Sequence, residues 1–240
     1  MRIIEWNIRH GGSEKRMPGI IDSIDRFDAD IAVLTEFRCS FEGVIRQALA
    51  HKGFKNILTS NPTTGINGIL VASKVEINQI PIKYIPSDLQ HRWLELLVPI
   101  GDFRLLCIHV PEARKKNDKE AFWKSILMYA EFMKDERALI VGDFNTGLKQ
   151  DAQGTPFVFS NYMEELVSKD WKDVWRERNP ETREYSWYSN EKNGFRLDYA
   201  FSSPRLASDV MDIHYSHEPR IEGHSDHSML ILEMINPIKK

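Results

Sequence analysis

Polar side chains that could bind a metal ion or a phosphate stand at or just beyond the ends of short apolar runs along the whole chain. A single pair such as Asp226 and His227 decides little, because neighbouring residues of a strand point to opposite faces. If the ends of several runs meet at one edge of a sheet, however, carboxylates, carboxamides and imidazoles line one cleft. The residues concerned are Asn7, Glu36, His109, Asp143, Asn145, Asp198, Asp226 and His227.

Some of these groups suit a divalent cation. Carboxylate and carboxamide oxygens are preferred ligands of hard ions such as Mg²⁺, which usually keeps several waters and takes only one or two protein carboxylates. Glu36, with Asn7 or Asp226 nearby, could hold the ion. The remaining carboxylates are then free for other chemistry.

The other groups suit a water molecule and a phosphate. Asp143 could orient or deprotonate the water, and His109 and His227 could bind the phosphoryl oxygens that gain charge in the transition state. The residue types therefore favour hydrolysis of a phosphate ester.

Each residue also has an ordinary structural explanation. Glu36 could be a solvated strand end, Asn7 a turn residue, and His109 a hydrogen-bonded core histidine. The stretch "GDFNTG" at 142–147 could be a tight turn. Asp198 is harder to explain in this way, because a charge inside a buried strand is costly unless it is paired. One shared site is more economical than a separate explanation for every residue.

Eight short apolar runs rich in β-branched residues predict the strands that would carry these groups. Four helical patterns lie among them, and the longest opens with Asn117 and carries Glu120 three residues later, which predicts a capped helix. Strands that alternate with helices early and adjoin one another later indicate an α/β, or α+β, sandwich with mixed sheets. The strands are expected at 2–6, 30–36, 68–73, 93–100, 103–110, 138–144, 195–201 and 228–234, and the helices at 17–27, 41–53, 118–134 and 156–169.

Length and composition limit the class of protein. The 240 residues are 42% hydrophobic and 28% charged, which is typical of a soluble globular chain. No linker or internal repeat divides the sequence, so we expect a single domain over 1–240. The formal net charge of −3 argues against a protein that coats nucleic acid non-specifically, because such binding depends on many Lys and Arg contacts to phosphate.

The cysteines and the N-terminus indicate a cytoplasmic protein. Cys39 and Cys107 lie in apolar surroundings without CxxC spacing, so we expect two reduced thiols. The N-terminal sequence does not have the pattern of a signal peptide, and no apolar run approaches the roughly 20 residues of a membrane span. Neither a membrane partner nor an obligate protein partner is expected.

Six motifs carry a family resemblance. They are "EWN" at 5–7, "LTE" at 34–36, "HVP" at 109–111, "GDFNTG" at 142–147, "GFRLDYAFSS" at 194–203 and "SDHS" at 225–228. In this order and at this spacing they resemble the endonuclease/exonuclease/phosphatase superfamily, which has the deoxyribonuclease I-like fold. The matches cover nearly the whole chain.

The resemblance implies a four-layered α/β sandwich, in which helices flank two packed mixed β-sheets and the site lies at the sheet edges. It also implies a divalent-metal site at Asn7 and Glu36, with Asp226 close by. The expected ion is Mg²⁺, for which Mn²⁺ could substitute.

The resemblance further implies roles for the catalytic residues. Asp143 and Asn145 would orient the attacking water and the phosphate, and Asp198 would belong to the same site. Asp226 would pair with or orient His227, which would contact the phosphate.

Two departures affect the subfamily. Thr35 stands where many members have Gln before the metal-binding Glu. His109 is similar to deoxyribonuclease I-like and phosphatase-like members, whereas the abasic-site endonuclease branch usually has Tyr there. Yet the segment 185–201 is similar to the tryptophan-bearing segment of that repair branch, so the subfamily stays open.

Three residues are candidates for substrate binding. Arg114 lies just beyond His109 in a basic stretch and could touch flanking phosphates. Trp187 belongs to a segment of interleaved Arg and aromatic residues, which could stack on bases or could form aromatic core with charged edges. Arg92 could reach a phosphate or could be a charge at a strand edge.

The leading hypothesis is a divalent-metal-dependent phosphodiesterase that cleaves nucleic acid, DNA or RNA, as an endo- or exonuclease by direct attack of an activated water. One alternative is a phosphatase or phosphodiesterase for a small phosphorylated molecule or lipid head group, which suits the acidic charge balance. A second alternative is a binding module that has kept the fold and lost the chemistry.

Overall fold

The structure, a computed structural model, describes residues 1–235. These residues contain fourteen strands and six α-helices. The strands are β1 Arg2–Asn7, β2 Ile31–Phe37, β3 Asn56–Thr59, β4 Gly68–Ser73, β5 Asn78–Gln79, β6 Trp93–Val98, β7 Phe103–His109, β8 Ala138–Asp143, β9 Lys172–Asp173, β10 Trp187–Tyr188, β11 Gly194–Phe195, β12 Asp198–Ser202, β13 Val210–Ser216 and β14 Met229–Met234. The helices are α1 Met17–Arg26, α2 Glu42–His51, α3 Lys116–Met133, α4 Ser160–Ser168, α5 Val174–Arg178 and α6 Glu218–Ile221. Within these residues no helix has the length and apolar character needed to cross a membrane.

Two six-stranded sheets pack face to face at the centre of the molecule. Their strand orders are β13-β14-β1-β2-β4-β3 and β5-β6-β7-β8-β12-β9. Each contains one parallel pair, β1 with β2 and β7 with β8, so both sheets are mixed. Residues from both sheets, including Ile3, Val71, Leu105 and Ala200, share one buried apolar cluster between them.

Helices cover the outer faces of both sheets and complete four layers. Ile20 of α1 and Leu49 of α2 join Ile4 of β1 in a second apolar cluster. Phe122 of α3 joins Ile140 of β8 in a third. Central strands that are buried on both faces read as continuous apolar runs, which is why the sequence pattern located them. The predicted four-layered α/β sandwich, with two mixed sheets flanked by helices, is confirmed.

Two details of the predicted elements are wrong. The expected strand over 195–201 is divided, because β11 ends at Phe195 in a two-stranded ribbon with β10 and β12 begins at Asp198 in the second sheet. The expected cap at Asn117 is absent from α3, which begins at Lys116 without a side-chain cap, so Asn117 already lies inside the first turn.

A buried ion cluster fixes the ribbon to the second sheet. Arg196, fully buried between β11 and β12, donates from Nε to Asp151 Oδ1 at 2.9 Å and from Nη1 to Asp173 Oδ1 at 3.0 Å. Arg176 donates to the same oxygen of Asp151 at 2.7 Å. Buried charges persist in a fold when each has an opposite partner and further hydrogen bonds. The cluster therefore sets the path of the chain immediately before Asp198.

Replacing Arg196 by Leu should lower the free energy of unfolding by about 3 to 5 kcal/mol, because the buried Asp173 loses its guanidinium partner and Asp151 keeps only that of Arg176. Urea unfolding measures the change. The control is Arg183→Leu, since Arg183 is exposed in the neighbouring segment and its loss should cost less than about 0.5 kcal/mol. Equal losses in the two variants would show that the cluster does not hold the ribbon.

Candidate active site

The strand ends that carry the predicted site residues meet at one place. Asn7 ends β1, His109 ends β7 and Asp143 ends β8. In the second sheet, His109 and Asp143 are register partners across the parallel pair, and Asp198 is the partner of Asp143 on the antiparallel side. The Asn7 amide of the first sheet donates to Asp143 Oδ2 at 2.9 Å. The ends of both sheets therefore form one site.

A cleft of about 420 Å³ opens over these strand ends. Asn7, His109 and Asp198 lie buried behind it. Arg92 is buried too, because its guanidinium packs against His109 instead of entering the cleft. The predicted site residues that line the cleft are Glu36, Arg114, Asp143, Asn145, Trp187, Asp226 and His227.

Asp143 has the properties of a general base. Its carboxylate accepts hydrogen bonds from the Asn7 amide and, at 2.9 Å, from the backbone N–H of Asn145. Burial and the nearby Asp198 raise the pKa of Asp143 to about 7, although the His227 cation acts in the opposite direction. A base with a pKa near the working pH combines a useful ionised fraction with a strong pull on the proton.

His227 forms a buried ion pair with Asp198. Its Nδ1 lies 2.9 Å from Asp198 Oδ2 and 3.2 Å from Oδ1. Burial alone would lower the pKa of His227, but Asp198, helped by Asp143, raises it to about 10. The imidazole is therefore a cation at neutral pH and keeps a second N–H to donate.

The expected pairing of Asp226 with His227 is wrong. The Asp226 carboxylate accepts from Trp187 Nε1 at 3.3 Å and lies 3.7 Å from Arg9 Nε. Its side chain is 39% exposed, whereas that of Asp198 is fully buried. The chain bends at Asp226 before the isolated bridge residue His227, and the Asp226 carboxylate faces the rim of the cleft while the His227 imidazole turns inward to Asp198.

Glu36 presents a carboxylate to the cleft from a bulge in β2. The register shifts between Thr35 and Phe37, and Glu36 has a left-handed φ of 58°. Such strained conformations persist where the surroundings hold them and concentrate at functional sites. The backbone N–H of His10 donates to Glu36 Oε2 at 2.8 Å, and Oε1 lies 3.9 Å from His109 Nε2.

The donor set fits a hard divalent cation. Asp143, Asp198 and His227 have potential ligand atoms within 4.8 Å of one another. The last two already form an ion pair, and a protonated imidazole has no lone pair for a metal. Glu36 is the better candidate, because its side chain is 15% exposed to the cleft and Mg²⁺ takes only one or two carboxylates. Asn7 and Asp226 lie at the same strand ends.

The comparison with family models agrees with this geometry. A model described as "Endonuclease/Exonuclease/phosphatase family" matches residues 4–227. The chain belongs to this family. Its members hydrolyse phosphoesters, so the chain is a phosphoester hydrolase, and the predicted resemblance is confirmed. No curated protein matches the chain.

Solved structures share the fold of this family member over nearly its whole length. An AP endonuclease from Archaeoglobus fulgidus has 18% identity and a TM-score of 0.84. A 3′ phosphatase from Neisseria, bound to a product DNA hairpin, has 20% identity and a TM-score of 0.82. A 3′-5′ exonuclease from Neisseria meningitidis has 21% identity and a TM-score of 0.83. Each alignment covers 98% of this chain and 99% of the other.

Lys119 is a residue of the hydrolase site that the motifs do not include. It lies fully buried on α3, and its Nζ donates to the backbone oxygen of Asn145 at 2.5 Å. Asn145 has a left-handed φ of 46°, and its amide also donates to the Val110 oxygen at 2.9 Å. Lys119 therefore helps to hold a strained turn. The available signal was its position on the apolar face of α3, with Phe122 and Ile126.

Glu5 is a second residue missed by sequence reasoning. Its side chain points into the interior beneath the site, and the Thr35 hydroxyl donates to Glu5 Oε1 at 3.3 Å. Burial, together with Asp198 and Asp143, raises the pKa of Glu5 well above its ordinary value.

Replacing Asp198 by Asn should bring the pKa of His227 from about 10 down to its ordinary value of about 6.5 or below, because the buried imidazolium loses its main carboxylate. The matched variant Asp226→Asn should leave the pKa near its original value. An NMR titration of the imidazole Cε1–H measures both. A larger fall in Asp226→Asn would reassign the ion pair.

The burial of Lys119 predicts a pH-dependent cost. Burial lowers the pKa of Lys119 to about 8, although Asp143 acts in the opposite direction. Between that value and the unfolded pKa of about 10.4, the unfolded chain binds more protons, so stability rises with pH. The free energy of unfolding of the wild type minus that of Lys119→Met should rise by about 2 to 3 kcal/mol between pH 7 and pH 10.

Denaturant unfolding at a series of pH values measures this difference. The control is Lys124→Met, because Lys124 is exposed on the same helix and should give a difference that stays constant over the range. A difference for Lys119 that is equally constant would show that its charge carries no burial cost.

Proposed function

We propose that this hydrolase is a divalent-metal-dependent phosphodiesterase that cleaves nucleic acid by direct attack of an activated water. The observation that carries the proposal is that a carboxyl group and an imidazole lining one cleft have well-separated pKa values. Asp143 has a pKa of about 7 and His227 one of about 10. Groups whose environments separate their pKa values in this way can divide the tasks of base and cationic donor.

In the proposed reaction, Asp143 takes a proton from the water as the water oxygen forms a bond to phosphorus. The ester bond on the opposite side breaks, and the departing oxygen takes a proton from solvent to leave as an alcohol. Asn145 orients the water and the phosphate, and the His227 cation donates a hydrogen bond to a phosphoryl oxygen as that oxygen gains charge. Mg²⁺, or Mn²⁺ in its place, held by Glu36 with Asn7 and Asp226 alongside, would polarise the phosphoryl group and supply positive charge.

Three features support a nucleic acid as the substrate. Arg9 and Arg114 are exposed at the cleft, where they can contact phosphates next to the scissile bond. Trp187 packs on Phe195 with ring centroids 5.8 Å apart and, with Leu197, forms an apolar wall beside the catalytic groups. Such a wall can receive the face of a base or sugar. The AP endonuclease and the phosphatase bound to a DNA hairpin among the similar structures also favour DNA.

A phosphatase acting on a smaller phosphate ester is the second candidate. The net charge of −3 gives little general attraction to a polyanion, and a 3′ phosphatase stands among the similar structures. The same base and the same cationic donor would serve a terminal phosphate. The two candidates therefore differ in substrate and share one set of catalytic residues.

We also propose that residues 1–240 form one catalytic domain in the cytoplasm. One apolar cluster draws on both sheets, and both sheets supply the site. Cys39 and Cys107 are free, which suits a reducing compartment.

With Mg²⁺ or Mn²⁺, the purified protein should cleave at least one nucleic acid in a panel of labelled substrates. The panel holds a DNA duplex, the same duplex with an abasic site, single-stranded DNA, RNA, DNA with a 3′ phosphate and a generic phosphomonoester. Asp143→Asn should lower kcat by about 10² to 10⁴-fold, because the general base is lost, and Glu36→Gln should weaken the response to metal.

The matched control is Asp28→Asn, because Asp28 is an exposed carboxylate in the turn after α1 and its replacement should leave the rate unchanged. Release of phosphate from the monoester alone would replace the nuclease by a phosphatase. Inactivity on every substrate would contradict both candidates. Full activity in Asp143→Asn would remove that residue from the mechanism.

A further inference from the structure

His109 has an unusual set of neighbours for a histidine beside a phosphoester site. It is almost fully buried, and the Arg92 guanidinium lies against one side of its ring. Arg92 Nη1 is 3.1 Å from His109 Nδ1 and 3.3 Å from the His109 backbone oxygen, to which it also donates. A carboxylate, the usual partner of a histidine that acts as an acid or base, does not contact Nδ1 within residues 1–235.

The guanidinium decides which ring nitrogen carries the proton. Arg has only donors and is protonated at neutral pH. Arg92 Nη1 can therefore form the short contact only if His109 Nδ1 is the acceptor. The ring proton must then lie on Nε2. An imidazolium would place one N–H against another in a buried position.

The other ring nitrogen points towards the catalytic carboxylates. His109 Nε2 is buried and has no hydrogen-bond partner among the described residues. It lies 3.8 Å from Asp143 Oδ2 and 3.9 Å from Glu36 Oε1, which is too long for a hydrogen bond to either oxygen. A buried donor without a partner costs about 1 to 3 kcal/mol, so the arrangement is best completed by an oxygen atom of the substrate.

We propose that Arg92 is a positioning residue that fixes His109 as a neutral Nε2–H donor to a phosphoryl oxygen of the substrate. Two alternative roles of His109 are excluded by the same contact. With its proton on Nε2 and its Nδ1 occupied, the ring has no lone pair to offer a metal at Glu36. An imidazolium would direct its Nδ1–H at the Arg92 guanidinium, so the ring does not serve as the general acid. This inference rests on the proposed phosphodiesterase function.

The two histidines of the site then differ in charge, since His227 is a cation and His109 is neutral. His227 Nδ1 faces the Asp198 carboxylate, whereas His109 Nδ1 faces the Arg92 guanidinium. A neutral donor can stand close to a metal-binding carboxylate without repelling the cation bound there. A charged donor at the same place would compete with the metal for Glu36.

The tautomer is measured without any reaction. Long-range ¹H–¹⁵N spectra of the metal-free protein at pH 7 should show His109 protonated at Nε2 alone. Arg92→Met, which removes the donor to Nδ1, should shift the Nδ1 resonance, and Arg92→Lys, which restores a cationic donor, should recover part of that shift. A wild-type His109 protonated at Nδ1, or at both nitrogens, would overturn the proposal, as would an unchanged spectrum in Arg92→Met.

Kinetics on the substrate cleaved by the wild type test the donor role. In His109→Gln the side-chain NH₂ can occupy the place of Nε2, whereas in His109→Asn it lies nearer Nδ1. We expect His109→Gln to keep kcat within about tenfold and His109→Asn to lose about 10² to 10³-fold, the loss typical of one oxyanion donor, with KM changed much less. Equal losses in the two variants would overturn the donor role.

The two experiments fail separately. A protein that cleaves no substrate in the panel, yet shows the Nε2 tautomer, would contradict the proposed function and leave the Arg92 contact intact. An active enzyme with the other tautomer would contradict the inference alone.

Discussion

A buried ion pair that joins the two sheets, between Asp198 of β12 and His227 just before β14, is the interaction on which the site depends. Neither charge would be stable there alone, because a single buried ion costs several kcal/mol of solvation. Together they place a cation beside Asp143, which offsets part of the repulsion between the carboxylates of the second sheet. The ion pair also fixes where the last strand of the first sheet can begin.

The two-sheet architecture makes this pairing possible. A site at the end of a single sheet could use only residues of that sheet. Here residues of both sheets contact one another at the site. Asn7 of the first sheet donates to Asp143 of the second, and Glu36 of the first faces His109 of the second. The shared apolar cluster holds the sheets in register, so the packing of the core sets distances within the site.

The apolar runs predicted a sandwich with mixed sheets, because strands buried on both faces leave such runs, and the family resemblance implied its four layers. Most of the candidate site could be predicted because polar residues stand at the ends of these runs. The partners of those residues could not be predicted. The pairing of Asp226 with His227 was implied by the family resemblance, whereas in the structure His227 pairs with Asp198 and Asp226 accepts from Trp187. Lys119 and Arg92 act through contacts with residues 26 and 17 positions away, and sequence spacing carries no information about such contacts.

The backbone conformations of two site residues show why such distant contacts are needed. Glu36 and Asn145 both have left-handed backbone conformations, which are uncommon for residues other than glycine. Such conformations persist only where other interactions hold them, and here the holding groups are the His10 backbone N–H and the Lys119 ammonium. The Glu36 and Asn145 side chains both line the cleft. The site therefore needs the groups that hold these backbone conformations as well as the side chains proposed to bind the metal and the phosphate. The motif residues therefore account for the chemistry only when these supporting residues keep them in place.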